Sequence, residues 1–124
     1  MRKRSFFYDI NFGTPTKNRV FQINMPFDTA FQAVLDILKK MKTNIIHDIK
    51  DSGSIIAYKG WGLISDGEVI TVSVTRSETE NGCEILVQSE SAFAKPFDLG
   101  VNDKNLDKFE VLLRALEENA DNLS

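Results

Sequence analysis

Histidine, cysteine and carboxylates are the side chains that usually begin chemistry, and this chain offers few of them at useful spacing. His47 is the sole histidine. It alternates with Ile45 and Ile49, and with no second His or Cys at ligand spacing it forms neither a metal site nor a general-base pair. Cys83 is the sole cysteine, which excludes an intrachain disulfide and fits a reducing compartment. A nucleophilic thiolate needs a lowered pKa and a neighbouring base, whereas Cys83 falls on the apolar side of an alternating stretch and reads as a small buried hydrophobe. The acidic pairs Asp48/Asp51, Asp66/Glu68 and Glu78/Glu80 all adjoin turns, where solvated carboxylates are ordinary. The seven glycines are too scattered to cradle a phosphate, and no Walker-type or dinucleotide-binding spacing occurs. No cofactor and no metal are expected.

One connection is unusual. Gly60-Trp61-Gly62-Leu63-Ile64 sets three large apolar side chains between flexible residues, which marks either a contact surface or a flap over the core. The aromatic row Phe6, Tyr8, Ile10 and Phe12 poses the same alternative.

The elements that hold these residues follow from periodicity. Ser5 to Phe12 alternates as a half-buried strand, and Gly13 to Asn18 is turn chemistry leading to a second strand with Phe21, Ile23 and Met25 on one face. Those two strands are expected to form a hairpin. Pro26 and Asp28 open a helix to about Lys42, with Phe31, Val34, Leu35, Leu38 and Met41 on one stripe and lysines at its end. Four short strands follow, at Asn44 to Lys50, Ser54 to Lys59, Glu68 to Arg76, and Cys83 to Ser91. In the third, Ile70, Val72 and Val74 share a face. In the fourth, Cys83, Ile85, Val87, Ser89 and Ser91 do. A last helix begins at Asn102 or Asp103 as N-cap and buries Leu106, Phe109, Leu113 and Leu116. Glu117 to Ser124 reads as a frayed tail.

At 124 residues with 42% apolar side chains, the chain fits a single domain, 1–124, of which 1–18 is an N-terminal strand and turn and 19–116 the core. The formal net charge of −3 gives no general attraction to nucleic acid, and the basic Met1-Arg2-Lys3-Arg4 reads as a solvated end. No apolar run is long enough to span a bilayer, and a soluble cytoplasmic protein is expected. The fold class is α+β: a curved antiparallel sheet with two helices packed on one face, in the order β-β-α-β-β-β-β-α.

Ser65, Gly67 and Glu68, then Ser89 and Ser91, then Asp98, Gly100, Asn102 and Asn105 form a pattern that resembles a group of small uncharacterised bacterial domains with a TATA-binding-protein-like fold. The resemblance covers about Arg19 to Leu116 and leaves the aromatic N-terminal strand outside it. The chain departs from the group at Asp66, where an aromatic residue is usual. Related helix-grip folds often hold a hydrophobic pocket between sheet and helix. The resemblance therefore implies a non-enzymatic binding module for an apolar small molecule or a protein partner, with Phe21, Trp61, Leu63 and Phe109 as lining. Two alternatives stand beside it: a structural homodimer paired through an exposed strand edge, and a hydrolase using carboxylates near Asp66, Glu68 and Asp98.

Overall fold

In the computed structural model, residues 16–60, 67–78, 81–92 and 100–123 are described. They form β1 (Thr16–Ile23), α1 (Phe27–Lys40), β2 (Asn44–Ile49), β3 (Ser54–Lys59), β4 (Glu68–Arg76), β5 (Cys83–Ser91) and α2 (Val101–Leu123). The strands make one antiparallel sheet in the order β1-β5-β4-β3-β2. The expected α+β class and the antiparallel sheet are thus observed. The aromatic strand expected at Ser5 to Phe12, and its hairpin, lie outside the described residues.

Alternation along each strand decides which face is buried. Phe21 and Ile23 on β1, Ile55 and Ala57 on β3, Ile70, Val72 and Val74 on β4, and Cys83, Ile85 and Val87 on β5 all turn to one side and are nearly inaccessible. Both helices cover that side. α1 buries Phe27, Ala30, Phe31, Ala33, Val34, Ile37 and Leu38 and lies against β4 and β2, while α2 lies against β5, β1 and α1. One core cluster joins Leu106, Phe109 and Leu113 of α2 to these residues.

Helix α1 follows Pro26, whose missing N–H is no loss where no intrahelical acceptor exists. It ends through Met41 N–H to the Ile37 carbonyl at 2.9 Å and Thr43 N–H to the Leu38 carbonyl at 3.1 Å, with Lys42 between them in the left-handed region at φ 63°. Gly53 closes the β2–β3 turn at φ +72°. A Cβ there would run into the Val74 carbonyl, because the Val74 N–H donates to the Gly53 carbonyl at 2.7 Å. The turn is clamped against β4, and only glycine fits.

Three expectations change. Thr16, Lys17 and Asn18, read as turn residues, belong to β1 and pair with Glu90, Ser89 and Gln88; the ladder with β5 overrides their turn propensity. A bulge between Ile45 and His47 breaks the expected shared face. Ile45 pairs with buried Ala57, whereas His47 pairs with Ile56 on the opposite face. Helix α2 continues through Leu123 instead of fraying from Glu117. No glycine or proline interrupts that stretch, and Arg114 pairs with Glu117 one turn on.

Candidate functional site

Three regions could carry function: the buried polar cluster at one end of the sheet, the aromatic contact beneath α2, and the sheet face opposite the helices.

The polar cluster starts at Gly67, whose φ of +111° and contact with the Tyr58 hydroxyl leave no room for a side chain. Its carbonyl accepts from the Ala92 N–H at 2.9 Å, fixing the start of β4 beside the end of β5. Glu68 therefore points inward and is only 2% exposed. Asn105 Nδ2 donates to Glu68 Oε1 at 3.0 Å and to Ser89 Oγ at 3.1 Å. The Ser89 hydroxyl donates to Asn102 Oδ1 at 2.7 Å, and Asn102 Nδ2 donates to Ser91 Oγ at 3.2 Å. All five side chains are buried. Buried polar groups are tolerated only when bonded, so this network clasps the first turns of α2 to β4 and β5 in one register. Asn102, expected as a helix cap, spends its side chain on this clasp instead.

The cluster unites Glu68, Ser89, Ser91, Asn102 and Asn105 from the sequence pattern. Asp66 and Asp98, the other two carboxylates considered for hydrolysis, lie outside the described residues, as do Trp61 and Leu63. Phe21 and Phe109 are brought together, with ring centroids 5.9 Å apart and planes 24° from parallel. Both rings are buried, at 3% and 0% exposure. Nearby, Arg19 on β1 donates to Asp107 Oδ1 at 2.9 Å and to Glu110 Oε1 at 3.0 Å. Partial burial pulls the Arg19 pKa down, and the hydrogen bonds and charges of the two carboxylates more than offset that. The side chains remain 29–69% exposed, so the pairs contribute about 0.5–1 kcal/mol.

Cys83 is fully buried. Burial raises its thiol pKa, with Arg76 lowering it in partial compensation. In the native protein at neutral pH, Cys83 is expected to resist dithionitrobenzoate and to react stoichiometrically only after unfolding. Rapid labelling of the folded chain would contradict its placement as a hydrophobe. His47 is exposed on edge strand β2. Among the described residues no three His, Cys, Asp or Glu side chains group as a metal site, and no helix is long and apolar enough to cross a membrane.

The face opposite the helices is built from cross-strand rows. Val20, Leu86, Ser73, Ser54 and Ile49 align across all five strands, and beside them Asn18, Gln88, Thr71, Ile56 and His47. Val20 and Ile49 are each 42% exposed. Among the described residues no helix covers this face. It carries Glu84 and Glu90, and no lysine or arginine among the described residues. The Asn18 Oδ1 atom is buried within it without a hydrogen-bond donor among the described residues. Periodicity alone could show the alternation but not which rows align, because register is fixed between strands.

Comparison with protein-family models and with curated proteins finds no match to this chain.

Proposed function

We propose that the chain is a non-enzymatic binding module whose sheet face opposite the helices, which no helix covers among the described residues, docks a protein partner bearing an apolar strip. The observation that carries this is the row Val20, Leu86, Ser73, Ser54 and Ile49 on the face that no described helix covers, with Val20 and Ile49 exposed at its two edges and half-buried Leu86 beside Val20. Apolar side chains set side by side on a face, as Val20 and Leu86 are, are more costly to leave in water than the same groups scattered. A second copy using the same face would set its Glu84 against a surface with no lysine or arginine among the described residues. The same charge disfavours a phosphate backbone.

The order β1-α1-β2-β3-β4-β5-α2 supports reading the fold as the TATA-binding-protein-like arrangement, in which a sheet face is free for recognition. Shared topology alone does not carry function. An apolar small molecule held between sheet and helix is the weaker reading, because Phe21 and Phe109 already fill each other's space. The hydrolase reading is weaker still, because Glu68 is engaged by Asn105 inside the clasp.

Val20→Glu tests whether the face is bare in the isolated chain. Its stability is expected within about 0.5 kcal/mol of the parent, as for other surface substitutions, with a monomer by light scattering. A loss of several times that, or a dimer that dissociates in the variant, would overturn the proposal in favour of a face covered by this chain or a second copy.

A further inference from the structure

The fold gathers a third of the chain's 15 lysines and arginines around one cavity. Lys40 and Lys42 reach it from the end of α1, Lys59 from the end of β3, and Lys104 and Lys108 from the first turns of α2. Asn105 forms part of the wall, and the cavity measures about 580 Å³. No acidic side chain lines it among the described residues. None of the five lysines has a carboxylate within 4.0 Å among the described residues; on α2, Asp107 and Glu110 are taken up by Arg19, and Asp103 adjoins Lys104 in the first turn without such a contact among the described residues.

This arrangement costs stability. Lys40 and Lys42 sit where a cation favours the end of a helix, but Lys104 lies in the first turn of α2, where the helix dipole opposes it. Lys104 and Lys108 are also one turn apart, a like-charge pair that weakens a helix. Lys42 adds the left-handed backbone at φ 63°, which glycine or asparagine would occupy at less cost. In a chain of net charge −3, five lysines lining one volume, none with a carboxylate within 4.0 Å among the described residues, make a local well for anions.

The side chains define what the anion must be. Lysine offers a compact, rotatable point charge that suits phosphate oxygens, where arginine's planar fork would pair with carboxylate and phosphate alike. Asn105 has both amide hydrogens committed to Glu68 and Ser89, so it shapes the wall and donates nothing to a ligand. No aromatic ring lines the cavity among the described residues. Its volume is within the range of small-molecule sites, and it is a cleft open to solvent. We infer that this cavity binds a small anion carrying several linked phosphate groups, through Lys40, Lys42, Lys59, Lys104 and Lys108. The site lies at the mouth between the two helices and is independent of the sheet face opposite them.

Sodium tripolyphosphate titrated calorimetrically into the full chain at near-physiological salt tests this. Saturable binding with a Kd below about 1 mM is expected, with inorganic phosphate at matched ionic strength at least about 10-fold weaker. Lys59→Glu combined with Lys104→Glu should weaken tripolyphosphate by more than about 10-fold, whereas Lys17→Glu, on β1 and outside the cavity, should change it by less than about 2-fold. Lys42→Gly separates recognition from folding: it should raise Tm by about 2–6 °C while weakening the anion. No saturable binding, an equal loss in Lys17→Glu, or unchanged binding in Lys42→Gly and the double variant would each overturn the site. A single-stranded oligonucleotide that displaces tripolyphosphate and tightens with length would replace it with a nucleic-acid surface.

Discussion

Phe109→Ala should lower the unfolding free energy by about 3–5 kcal/mol, the range for removing a buried aromatic side chain. The ring is completely buried, stacks on Phe21 at 5.9 Å, and sits between Leu106 and Leu113 on the stripe of α2 that meets β1 and β5. Those neighbours come from a sheet whose backbone is fixed on both sides of β5, so the vacated volume cannot close by a small shift and the lost contacts remain lost. Phe109→Leu should recover more than half of the deficit, because leucine refills much of the space. Val111, on the same helix but 64% exposed, is the internal comparison, and its alanine variant should stay within about 0.5 kcal/mol of the parent. Urea denaturation of all three variants checks the order. The result also bears on the expectation that Phe21 and Phe109 line a ligand cavity: rings bordering a void would tolerate truncation, and a small loss at Phe109 would restore that reading.

Asn105→Ala is expected to cost about 2–4 kcal/mol, although it removes a polar side chain. Asn105 is the hinge of the clasp, donating to both Glu68 and Ser89. Its loss withdraws a donor from a carboxylate that is 2% exposed and has little access to water. The asymmetry matters: the penalty comes from the acceptor left behind, so removing that acceptor as well should return part of the loss. In a double-mutant cycle, Asn105→Ala with Glu68→Ala is predicted to fall short of the sum of the single variants by at least about 1 kcal/mol. Glu68→Gln, which keeps an oxygen for Asn105, should cost less than Glu68→Ala. Additive losses would mean that the two side chains do not act as a unit.

How much of this was legible depends on whether the cause is local. β3, β4 and β5 have the ends that alternation predicts, and α1 follows from its apolar stripe and terminal lysines, because each pattern lies within one element. The inward placement of Ser89 and Ser91 was equally legible. Their partners were not: Asn102 read as a helix cap, and only the seating of α2 on β5 reveals that its amide bridges two serines. The same limit hid the first residues of β1, whose turn-like composition yields to pairing with β5, and the bulge after Ile45, which turns His47 away from the helices. The lysine cavity is the extreme case. Its residues span positions 40 to 108 with no motif among them, and three elements must be assembled before their charges meet. The face that no described helix covers was hidden for another reason. Val20 and Leu86 look unremarkable on separate strands and become neighbours only through the register that pairs them, with Ile49 at the far end of the same row.

Docking on that face is the central claim, and site-specific photocrosslinking tests it most directly. A benzophenone side chain would be placed at Leu86, at Val20 and, on the exposed side of α2, at Val111, in the full chain within the cells that make it. Discrete adducts with one other protein from Leu86 and Val20, and none from Val111, are the predicted result. Adducts only between copies of this chain, the same products from all three positions, or no adduct from the sheet face would contradict it.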